Sequence, residues 1–314
     1  MVNIRNFFDK AHEDAVAVAY MSILGRQPES EDIIRDNARE GKSIKNIIDE
    51  LKSSNEYKYN KKMSLMDEII KVKKENISKI VTTERAQDDV IMVQTSDNVR
   101  YSKILNVSSK YNEEYCYKHK INYQKYKGIC KGVHPHHATF NRIFMLKEIV
   151  DRGFSGWVCY VDADAIVRNN SFSLKENLSA LRKKNKHMWL HSVFNVGEDN
   201  YNWWDINAGC FAIDLSFGIC KEIINVWYEI YSNLYSIKEY EAATRWDDII
   251  DDQISFQHIL KIFDVEVFCE IGKMQDEFFF QALRSVSHDV SPEAELLMRM
   301  TRLEEEGRRI FGDC

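Results

Sequence analysis

The pattern of hydrophobic and polar positions is sharpest in the middle of the chain, where an apolar run ends in two carboxylates. Residues 157–161 are a continuous run of apolar, β-prone residues, which predicts a strand buried on both faces, as in a parallel sheet. Asp162 and Asp164 follow directly. Because unpaired buried carboxylates are costly, we expect both at the carboxyl end of the strand, the edge where open α/β sheets bind ligands. If the extended geometry continues, the two side chains point the same way.

Strand and helix patterns alternate through residues 87–314. Residues 89–96 predict the first strand, and residues 98–119 predict the helix that follows it. Such alternation predicts an α/β fold with helices on both faces of the sheet. Further strands are predicted at residues 121–123, 189–194 and 265–270 and directly after Asn207-Ala208-Gly209, and further helices at 139–152, 216–234, 254–263 and 291–310. The last of these helices is heavily charged, so we expect it to be largely solvated or to lie on the outside of the core.

The first sixty residues predict a small, separate all-α domain. Helical spacing marks residues 12–24, 29–39 and 43–53. The run from Tyr20 through Leu24-Gly25-Arg26-Gln27-Pro28, followed later by Ser54-Asn55-Glu56-Tyr57, resembles the bacterial DUF4214 helical module. The resemblance implies that residues 1–60 are an accessory domain of a kind often attached to glycan-related enzymes. These helices could also serve as an oligomerisation surface, and residues 61–86 predict a charged linker helix.

Composition and charge narrow the class of protein. The chain has 314 residues, 44% of them hydrophobic, so it can bury a full core and hold one large and one small domain. A net charge of −6 argues against a nucleic-acid partner. No stretch has the roughly 18 apolar residues of a membrane span, and the first residues lack the apolar core of a signal peptide. The seven cysteines are scattered and lack C-x-x-C spacing, which indicates reduced thiols and a cytoplasmic location.

Two common nucleotide-binding motifs are absent from the sequence. No G-x-G-x-x-G follows the first strand and no G-x-x-x-x-G-K-[ST] occurs, so we expect neither a dinucleotide cofactor nor a P-loop hydrolase. His134, His136 and His137 are close enough in sequence to suggest a zinc site, but no fourth ligand is evident. We interpret residues 132–138 as a loop that lines the active site.

Four polar segments follow one another along the α/β part of the chain. In order, they are Gln94-Thr95-Ser96, Asp162-Ala163-Asp164, Asn207-Ala208-Gly209 and Asp252-Gln253. This ordered set resembles nucleotide-sugar glycosyltransferases of the GT-A fold. It is most similar to the galactosyl/mannosyltransferase family with a DxD motif, which shares an aromatic-x-Lys/Arg helix, here Phe140-Asn141-Arg142. The resemblance implies that residues 87–314 form a GT-A domain, a Rossmann-like mixed sheet flanked by helices.

The resemblance also implies a role for each segment. It assigns binding of the nucleotide sugar to eight residues: Gln94, Thr95, Ser96, Arg142, Asp162, Asn207, Ala208 and Gly209. It places Asp252 and Gln253 close to the anomeric carbon and the acceptor. In an inverting enzyme Asp252 would be the general base, and in a retaining enzyme Gln253 or Asp252 would steady the oxocarbenium-like ion. The nearest family retains the anomeric configuration, so we expect retention.

A divalent cation, Mn²⁺ or Mg²⁺, is the cofactor that the resemblance implies. Asp162 and Asp164 match its DxD ligands. A metal-binding histidine of the family usually stands in a His-Phe-x-Gly segment near the end, which this chain lacks. His288 lies in the expected region but has different flanking residues, and we take it as the candidate third ligand.

These observations predict a metal-dependent hexosyltransferase that uses a nucleotide-diphosphate sugar, with a UDP-sugar as the expected donor, in bacterial surface-glycan or glycoconjugate assembly. The acceptor is a glycan, a lipid-linked sugar or a protein. One alternative is a nucleotidyltransferase, although such enzymes usually carry a glycine-rich basic loop after the first strand and residues 94–101 have no glycine. The other is a non-catalytic module that binds a nucleotide or a glycan.

Overall fold

The computed structural model describes residues 4–39, 42–77, 89–193, 201–272, 278–283 and 291–312. The chain divides into two compact units. One comprises residues 1–66 with residues 248–250, and the other comprises residues 67–247 and 251–314.

The described part of the first unit is helical. Its elements are α1 (Ile4–Leu24), α2 (Glu31–Arg39), α3 (Ile44–Ser53) and the first part of α4 (Asn55–Ile77). Ser43 caps α3 by accepting a hydrogen bond from the Asn46 amide at 3.2 Å, as an N-cap serine should. The apolar stripes of α1 and α3 meet in a small core that contains Val16, Ile47 and Leu51.

Gly25 and Arg26 each have a structural role in the turn that follows α1. Gly25 has φ of +74°, a left-handed conformation that glycine adopts without strain and that ends α1. Arg26 then donates two hydrogen bonds of 2.6 Å to the carboxylate of Glu56, in the first turn of α4. The pair is partly exposed and screened by solvent, so it orients the turn and contributes little to stability.

The second unit is built on a six-stranded mixed sheet. Its strands are β1 (Val90–Ser96), β2 (Asn122–Lys127), β3 (Trp157–Asp162), β5 (Met188–Ser192), β6 (Ile206–Asp214) and β7 (Cys269–Gly272), in the order β2-β1-β3-β6-β5-β7. β1 is parallel to β2 and β3, whereas β6 is antiparallel to both β3 and β5. β5 and β7 are parallel. The mixed α/β class predicted from the sequence is therefore observed.

Helices cover both faces of this sheet. They are α5 (Tyr101–Lys118), α6 (Asn141–Asp151), α7 (Leu174–Lys183), α8 (Gly218–Asn233), α9 (Ile237–Ala242), α10 (Asp252–Phe263) and α11 (Pro292–Phe311). α5 and α7 pack on one face, where Cys159 lies in a core with Tyr115 and Leu178. On the other face Tyr160 stacks on Phe211, which continues into the aromatic side chains of α8 and α10. Successive side chains of β3 thus pack into cores on opposite faces of the sheet, as expected for a central strand.

The stretch that follows β3 departs from the prediction of continued extension. β3 ends at Asp162, residues 163–164 form a turn, and β4 (Ala165–Val167) leaves the large sheet. β4 pairs antiparallel with β8 (Phe279–Gln281) in a separate two-stranded sheet. Asp162 and Asp164 are therefore brought together by a turn rather than by strand alternation.

Two other elements differ from their predictions. β6 begins at Ile206, so Asn207-Ala208-Gly209 lies inside a strand rather than before one. Residues 265–270 contain a 3-10 turn (Glu266–Phe268) before β7, and Phe194 of the predicted strand 189–194 lies outside the described residues.

One face of α11 carries buried side chains and the rest of the helix is exposed or half-buried, as expected for a helix on the outside of the core. Arg299, Leu303 and Gly307 form this buried face, and a Cβ at Gly307 would meet the ring of Tyr111 at 2.2 Å. Apart from Arg299, the charged residues of α11 are exposed or half-buried. Among the described helices, none is long and apolar enough to cross a membrane.

Candidate active site

A cleft of about 890 Å³ opens at the carboxyl ends of β1 and β3. Thr95 and Ser96 of β1 line it, together with Arg142 of α6 and both Asp162 and Asp164. At β3 the sheet changes from parallel to antiparallel pairing. β2 and β3 lie on opposite sides of β1, so the strand order reverses there, and α/β sheets commonly bind ligands at the carboxyl ends of strands beside such a reversal.

Arg142 is the centre of one side of the cleft. Its Nη2 donates to Asp162 Oδ1 at 2.9 Å, and its Nε lies 2.9 Å from Asp252 Oδ2. The Nε–H bond is directed at the carbonyl of Thr139, 3.1 Å away, so the contact with Asp252 is ionic rather than a hydrogen bond. Nη1 donates to the carbonyl of Ala208. One buried guanidinium therefore links α6 to the end of β3, to β6 and to the start of α10.

The two carboxylates that share Arg142 are electrostatically strained. Burial raises the pKa of Asp162 to about 7 and the pKa of Asp252 to about 6, and the charge of Arg142 opposes both shifts. The same two carboxylates raise the pKa of Arg142, against the effect of its own burial. Two acids facing one cation leave an excess of negative charge, which favours a further cation or a proton at this place.

Asp164 is held by residues from the far end of the chain. Arg299 of α11 donates through Nη2 to Asp164 Oδ2, through Nε to the carbonyl of Ala282 and through Nη1 to the Tyr101 hydroxyl. Gln281 of β8 donates through Nε2 to Asp164 Oδ1 at 3.0 Å and to Asp162 Oδ2 at 3.4 Å. Each carboxylate thus has one oxygen on an arginine and the other on the same amide nitrogen.

Buried polar side chains hold the backbone of the 163–164 turn from behind. Ser108 of α5 donates to the carbonyl of Ala163 at 2.6 Å, and Asn112 both donates to the Ala165 carbonyl and accepts from the Val167 amide. Gln94 donates to the carbonyls of Asp162 and Ala165, and its Oε1 accepts from the Tyr123 hydroxyl. Gln94 is fully buried and is not among the residues that line the cleft.

Thr95 and Ser96, unlike Gln94, reach the cleft. The Thr95 hydroxyl lies 3.1 Å from the hydroxyl of Tyr160, which donates to Asp162 Oδ1 at 3.1 Å. The guanidinium of Arg142 stacks 4.6 Å above the Tyr160 ring. Tyr160 therefore belongs to the site, although its position inside an apolar strand gave no signal in the sequence.

The 207–209 segment lies directly beside the first aspartate. Gln253 accepts through Oε1 from the Ala208 amide at 3.1 Å, and Asn207 Oδ1 accepts from the Gly209 amide at 2.7 Å. A Cβ at Gly209 would be 2.7 Å from Asp162 Oδ2 and 3.0 Å from Gln281 Nε2. Glycine is required here for space rather than for backbone conformation.

The histidines of residues 134–137 hold their loop in place through contacts with backbone groups. His137 Nδ1 accepts from the amides of Val133 and His134, and His134 Nε2 contacts the carbonyl of Glu241 at 3.0 Å. Burial and the neighbouring imidazoles lower the pKa of His137 to about 4, so it is neutral. Pro135 and His136 line the cleft, consistent with the interpretation of this segment as an active-site loop.

The residues around Asp162 and Asp164 suit a hard divalent cation. Asp162 Oδ2 and Asp164 Oδ1 both face the side-chain amide of Gln281, and Gly209 adds no side chain beside them. Such ions often bind one or two carboxylates and complete their shell with phosphate oxygens and water. Over the described ranges no group of three His, Cys, Asp or Glu residues could hold a metal ion. His288, the predicted third ligand, lies outside those ranges.

The structure therefore brings most of the predicted residues to one place. Arg142, Asp162, Ala208 and Asp252 are in direct contact around the guanidinium, and Gly209 and Gln253 adjoin them. Sequence reasoning missed Tyr160, Gln281 and Arg299. A signal for Arg299 exists in retrospect, because it shares a helical face with Leu303 and Gly307.

This chain is similar to known proteins in structure rather than in amino-acid sequence. No protein-family model and no curated protein matches it. It is similar to the crystal structure of a glycosyltransferase involved in the glycosylation of the major capsid of PBCV-1, with 14% sequence identity and a TM-score of 0.45. The match covers 69% of this chain and 99% of that one. At this identity and overlap the likeness transfers neither an activity nor a residue role.

Proposed function

We propose that this protein is a glycosyltransferase that moves a hexose from a nucleotide-diphosphate sugar, with UDP as the nucleotide, to an acceptor. The observation that carries the proposal is the position of Arg142, buried between Asp162 and Asp252 at the wall of a cleft that also contains Asp164. Asp162 at the end of β3 and Asp252 at the start of α10 face the same guanidinium, and Asp164 lies two residues beyond Asp162. Such an arrangement suits the two ends of a donor, with the diphosphate near the first pair and the reacting sugar near Asp252.

The chain's own residues divide the work between binding and positioning. Asp162, Thr95 and Ser96 present oxygen atoms to the cleft and can accept or donate hydrogen bonds to the ribose and the nucleotide. Asp162 and Asp164 would hold a Mn²⁺ or Mg²⁺ ion, which would offset the negative charge that develops on the leaving diphosphate. Arg142 fixes the separation of Asp162 and Asp252 and balances part of their charge.

In this proposal Asp252 and Gln253 act on the other end of the donor from behind Thr139 and Arg142, which line the cleft. Breaking the bond between the sugar and the diphosphate leaves an oxocarbenium-like sugar, which a fixed carboxylate or amide oxygen stabilises. Asp252 is held by Arg142 and by the Thr139 hydroxyl at 2.6 Å, and Gln253 by the Ala208 amide. We propose retention of configuration, with these two groups steadying the ion rather than attacking it.

The biological setting belongs to the same proposal. The acceptor would be a glycan, a lipid-linked sugar or a protein in bacterial surface-glycan or glycoconjugate assembly, with the helical residues 1–60 as a DUF4214-like accessory module. Oligomerisation through that module is part of this proposal.

Release of UDP from a panel of UDP-hexoses, with added Mn²⁺ or Mg²⁺, tests the proposal. We expect wild-type protein to release UDP and Asp162→Asn to lose at least about 99% of the rate, because a charge essential to the transition state is removed. Asp151→Asn, which changes an exposed carboxylate on α6, is the matched control and should keep the wild-type rate. Full activity of Asp162→Asn, or pyrophosphate release from a nucleoside triphosphate and a sugar phosphate instead of UDP release, would contradict it.

A further inference from the structure

The side chain of Gln281 occupies the point on which the two aspartates converge. Its Nε2 lies 3.0 Å from Asp164 Oδ1 and 3.4 Å from Asp162 Oδ2. Gln281 reaches this point because β8 pairs with β4, which places Gln281 directly opposite Ala165, the residue after the second aspartate. The small β4–β8 sheet therefore delivers an amide to the carboxylate pair.

The hydrogen bonds of the two arginines divide the carboxylate oxygens into outer and inner atoms. Arg142 binds Asp162 Oδ1, and Arg299 binds Asp164 Oδ2. The remaining oxygens, Asp162 Oδ2 and Asp164 Oδ1, are the two that face Gln281 Nε2. The arginines thus fix the orientation of both carboxylates without covering their inner oxygens.

The surroundings leave room for a ligand at the inner oxygens. Gly209 is the neighbour on the open side, and a Cβ there would be within 3.0 Å of both Asp162 Oδ2 and Gln281 Nε2. The Asn207 Oδ1 atom lies next to the same position, 2.9 Å from where that Cβ would be. Oxygen atoms of Asp162, Asp164 and Asn207 therefore lie around the Gln281 amide, and Gly209 adds no side chain among them.

An amide can serve this point in two ways. Its NH₂ group donates to carboxylates, and its carbonyl oxygen is an acceptor and a ligand for hard cations. Half a turn about the last side-chain bond exchanges one for the other at nearly the same place. A partial positive charge now satisfies two carboxylates at this point, and a full positive charge would satisfy them better.

We infer that Gln281 is the third protein ligand of the divalent cation, through Oε1, alongside Asp162 Oδ2 and Asp164 Oδ1. Three oxygen ligands and no nitrogen or sulfur favour Mg²⁺ or Mn²⁺ over softer metals. An amide as third ligand also accounts for the lack of a third His, Cys, Asp or Glu beside the pair in the described part of the chain. The inference rests on the proposed function for the purpose of the ion, but cation binding is measured without turnover.

Titration of the full-length protein with Mn²⁺ alone tests the inference, with free Mn²⁺ followed by electron paramagnetic resonance. Gln281→Met keeps the length of the side chain and removes the amide, and Gln281→Glu replaces it with a carboxylate. We expect one Mn²⁺ to bind wild type, and Gln281→Met to weaken that binding at least about tenfold, the smallest loss typical of removing even an outer-sphere partner. Gln281→Glu should bind Mn²⁺ at least as tightly as wild type.

Gln124→Met, on strand β2, is the matched control and should leave the affinity unchanged, because β1 separates this strand from β3 and Asp162. Circular dichroism and the melting temperature without metal show whether each variant is folded. If Gln281→Met misfolds, tighter or equal binding by Gln281→Glu still supports the inference, and weaker binding overturns it.

Two results would overturn the inference directly. The first is equal or tighter Mn²⁺ binding by folded Gln281→Met, which would mean that the ion displaces the glutamine instead of binding it. The second is no binding to wild type at millimolar Mn²⁺. The proposed function fails in a different way. Protein that binds Mn²⁺ through Gln281 but releases no UDP would overturn the proposed transferase and leave the cation site standing.

Discussion

The two aspartates of the cleft are two residues apart in sequence but belong to differently built halves of the site. Asp162 ends a central strand of the large sheet, and its partner Arg142 is 20 residues away. Asp164 lies in the turn toward the small β4–β8 sheet, and its partners Gln281 and Arg299 are 117 and 135 residues away. The first half is assembled from neighbouring elements, whereas the second closes only when the end of the chain packs against the rest.

This difference teaches that a short motif can depend on two separate sources of order. The Asp162 half is held by the six-stranded sheet, whose central strands are buried throughout. The Asp164 half depends on a three-residue strand pair and on one face of α11. Since local stability follows buried contacts and pairing, we expect the second half to open first when the protein is destabilised.

The largest effect should come from Arg142→Met. The variant leaves two buried carboxylates without their cation, which typically costs about 3–5 kcal/mol in the free energy of unfolding. UDP release should fall below detection, because both ends of the proposed donor site depend on this residue. Urea denaturation at pH 8 measures the stability. Wild-type stability in this variant would show that Asp162 and Asp252 are protonated and need no cation.

Arg299→Met should have the next largest effect and tests the other half directly. Asp164 keeps its hydrogen bond from Gln281, so we expect a loss near 3 kcal/mol, the lower end of the range for a broken buried pair. Amide hydrogen exchange should speed up in β4, β8 and α11 and remain slow in β1 and β3. Equal acceleration in both sheets would mean that the two halves unfold as one.

Gly209→Ala should separate activity from stability. The new Cβ would crowd Asp162 Oδ2 and Gln281 Nε2, and both are side-chain ends that can move. We therefore expect about 1 kcal/mol of destabilisation, at the low end for overpacking, but at least about a tenfold loss of UDP release and of Mn²⁺ affinity. Ala208→Gly, one residue earlier in the same strand, controls for a change of backbone entropy.

The pH dependence of stability should report the crowded charges around Arg142. The folded pKa values of Asp162 and Asp252, about 7 and about 6, lie above the value near 3.9 of an unfolded aspartate. Between about pH 4 and pH 7 the folded protein therefore holds protons that the unfolded chain has released. These groups make stability fall as pH rises through that window and level off above it.

Asp252→Asn should flatten the lower part of this profile, from about pH 4 to pH 6, because its share of the proton uptake is removed. Midpoints of urea denaturation at intervals across the window measure the slope. Asp214 does not confuse the result, since Arg182 and His187 lower its pKa below the window despite its burial. A steeper dependence of stability on pH in Asp252→Asn would contradict the raised pKa of Asp252.

The smallest effect should come from Ser291→Ala at the start of α11. The Ser291 hydroxyl accepts from the Ala294 amide at 3.2 Å, and losing an exposed N-cap costs about 0.5–1 kcal/mol. UDP release should be unchanged at room temperature, because Arg299 lies two turns further along the helix. Lys73→Ala, which breaks a partly exposed ion pair with Glu229, gives a comparison outside α11. A larger loss of activity than of stability in Ser291→Ala would tie the helix end to the site itself.

Much of the Asp162 half could be predicted from the sequence. The buried run before Asp162 and the helix that opens at Asp252-Gln253 are set by local hydrophobic periodicity, which is readable from one chain. The order of the four polar segments placed them at one edge of the sheet. What periodicity did not indicate was the inward turn of Gln94, because a polar residue at a strand tip is usually assigned to solvent.

The Asp164 half could not be predicted for a physical reason. A strand of three residues, such as β4 or β8, is too short to show a period, and its pairing is fixed by packing across more than a hundred residues. The high charge of α11 also concealed its buried face, because Arg299 counts as polar in any periodicity yet is held inside by Tyr101 and Asp164. Tertiary partners, and not local preference, decide such positions.

Ser108 and Asn112 have a consequence for how a genetic screen of this protein would be interpreted. Both lie on α5 behind the 163–164 turn and fix its backbone, and neither is among the residues that line the cleft. In a library sorted only by loss of product, their substitutions would rank with those of the aspartates. A mutational map would then show a false active-site patch on α5, and only a parallel sort for cellular abundance would tell the residues that do the chemistry from those that hold the loop.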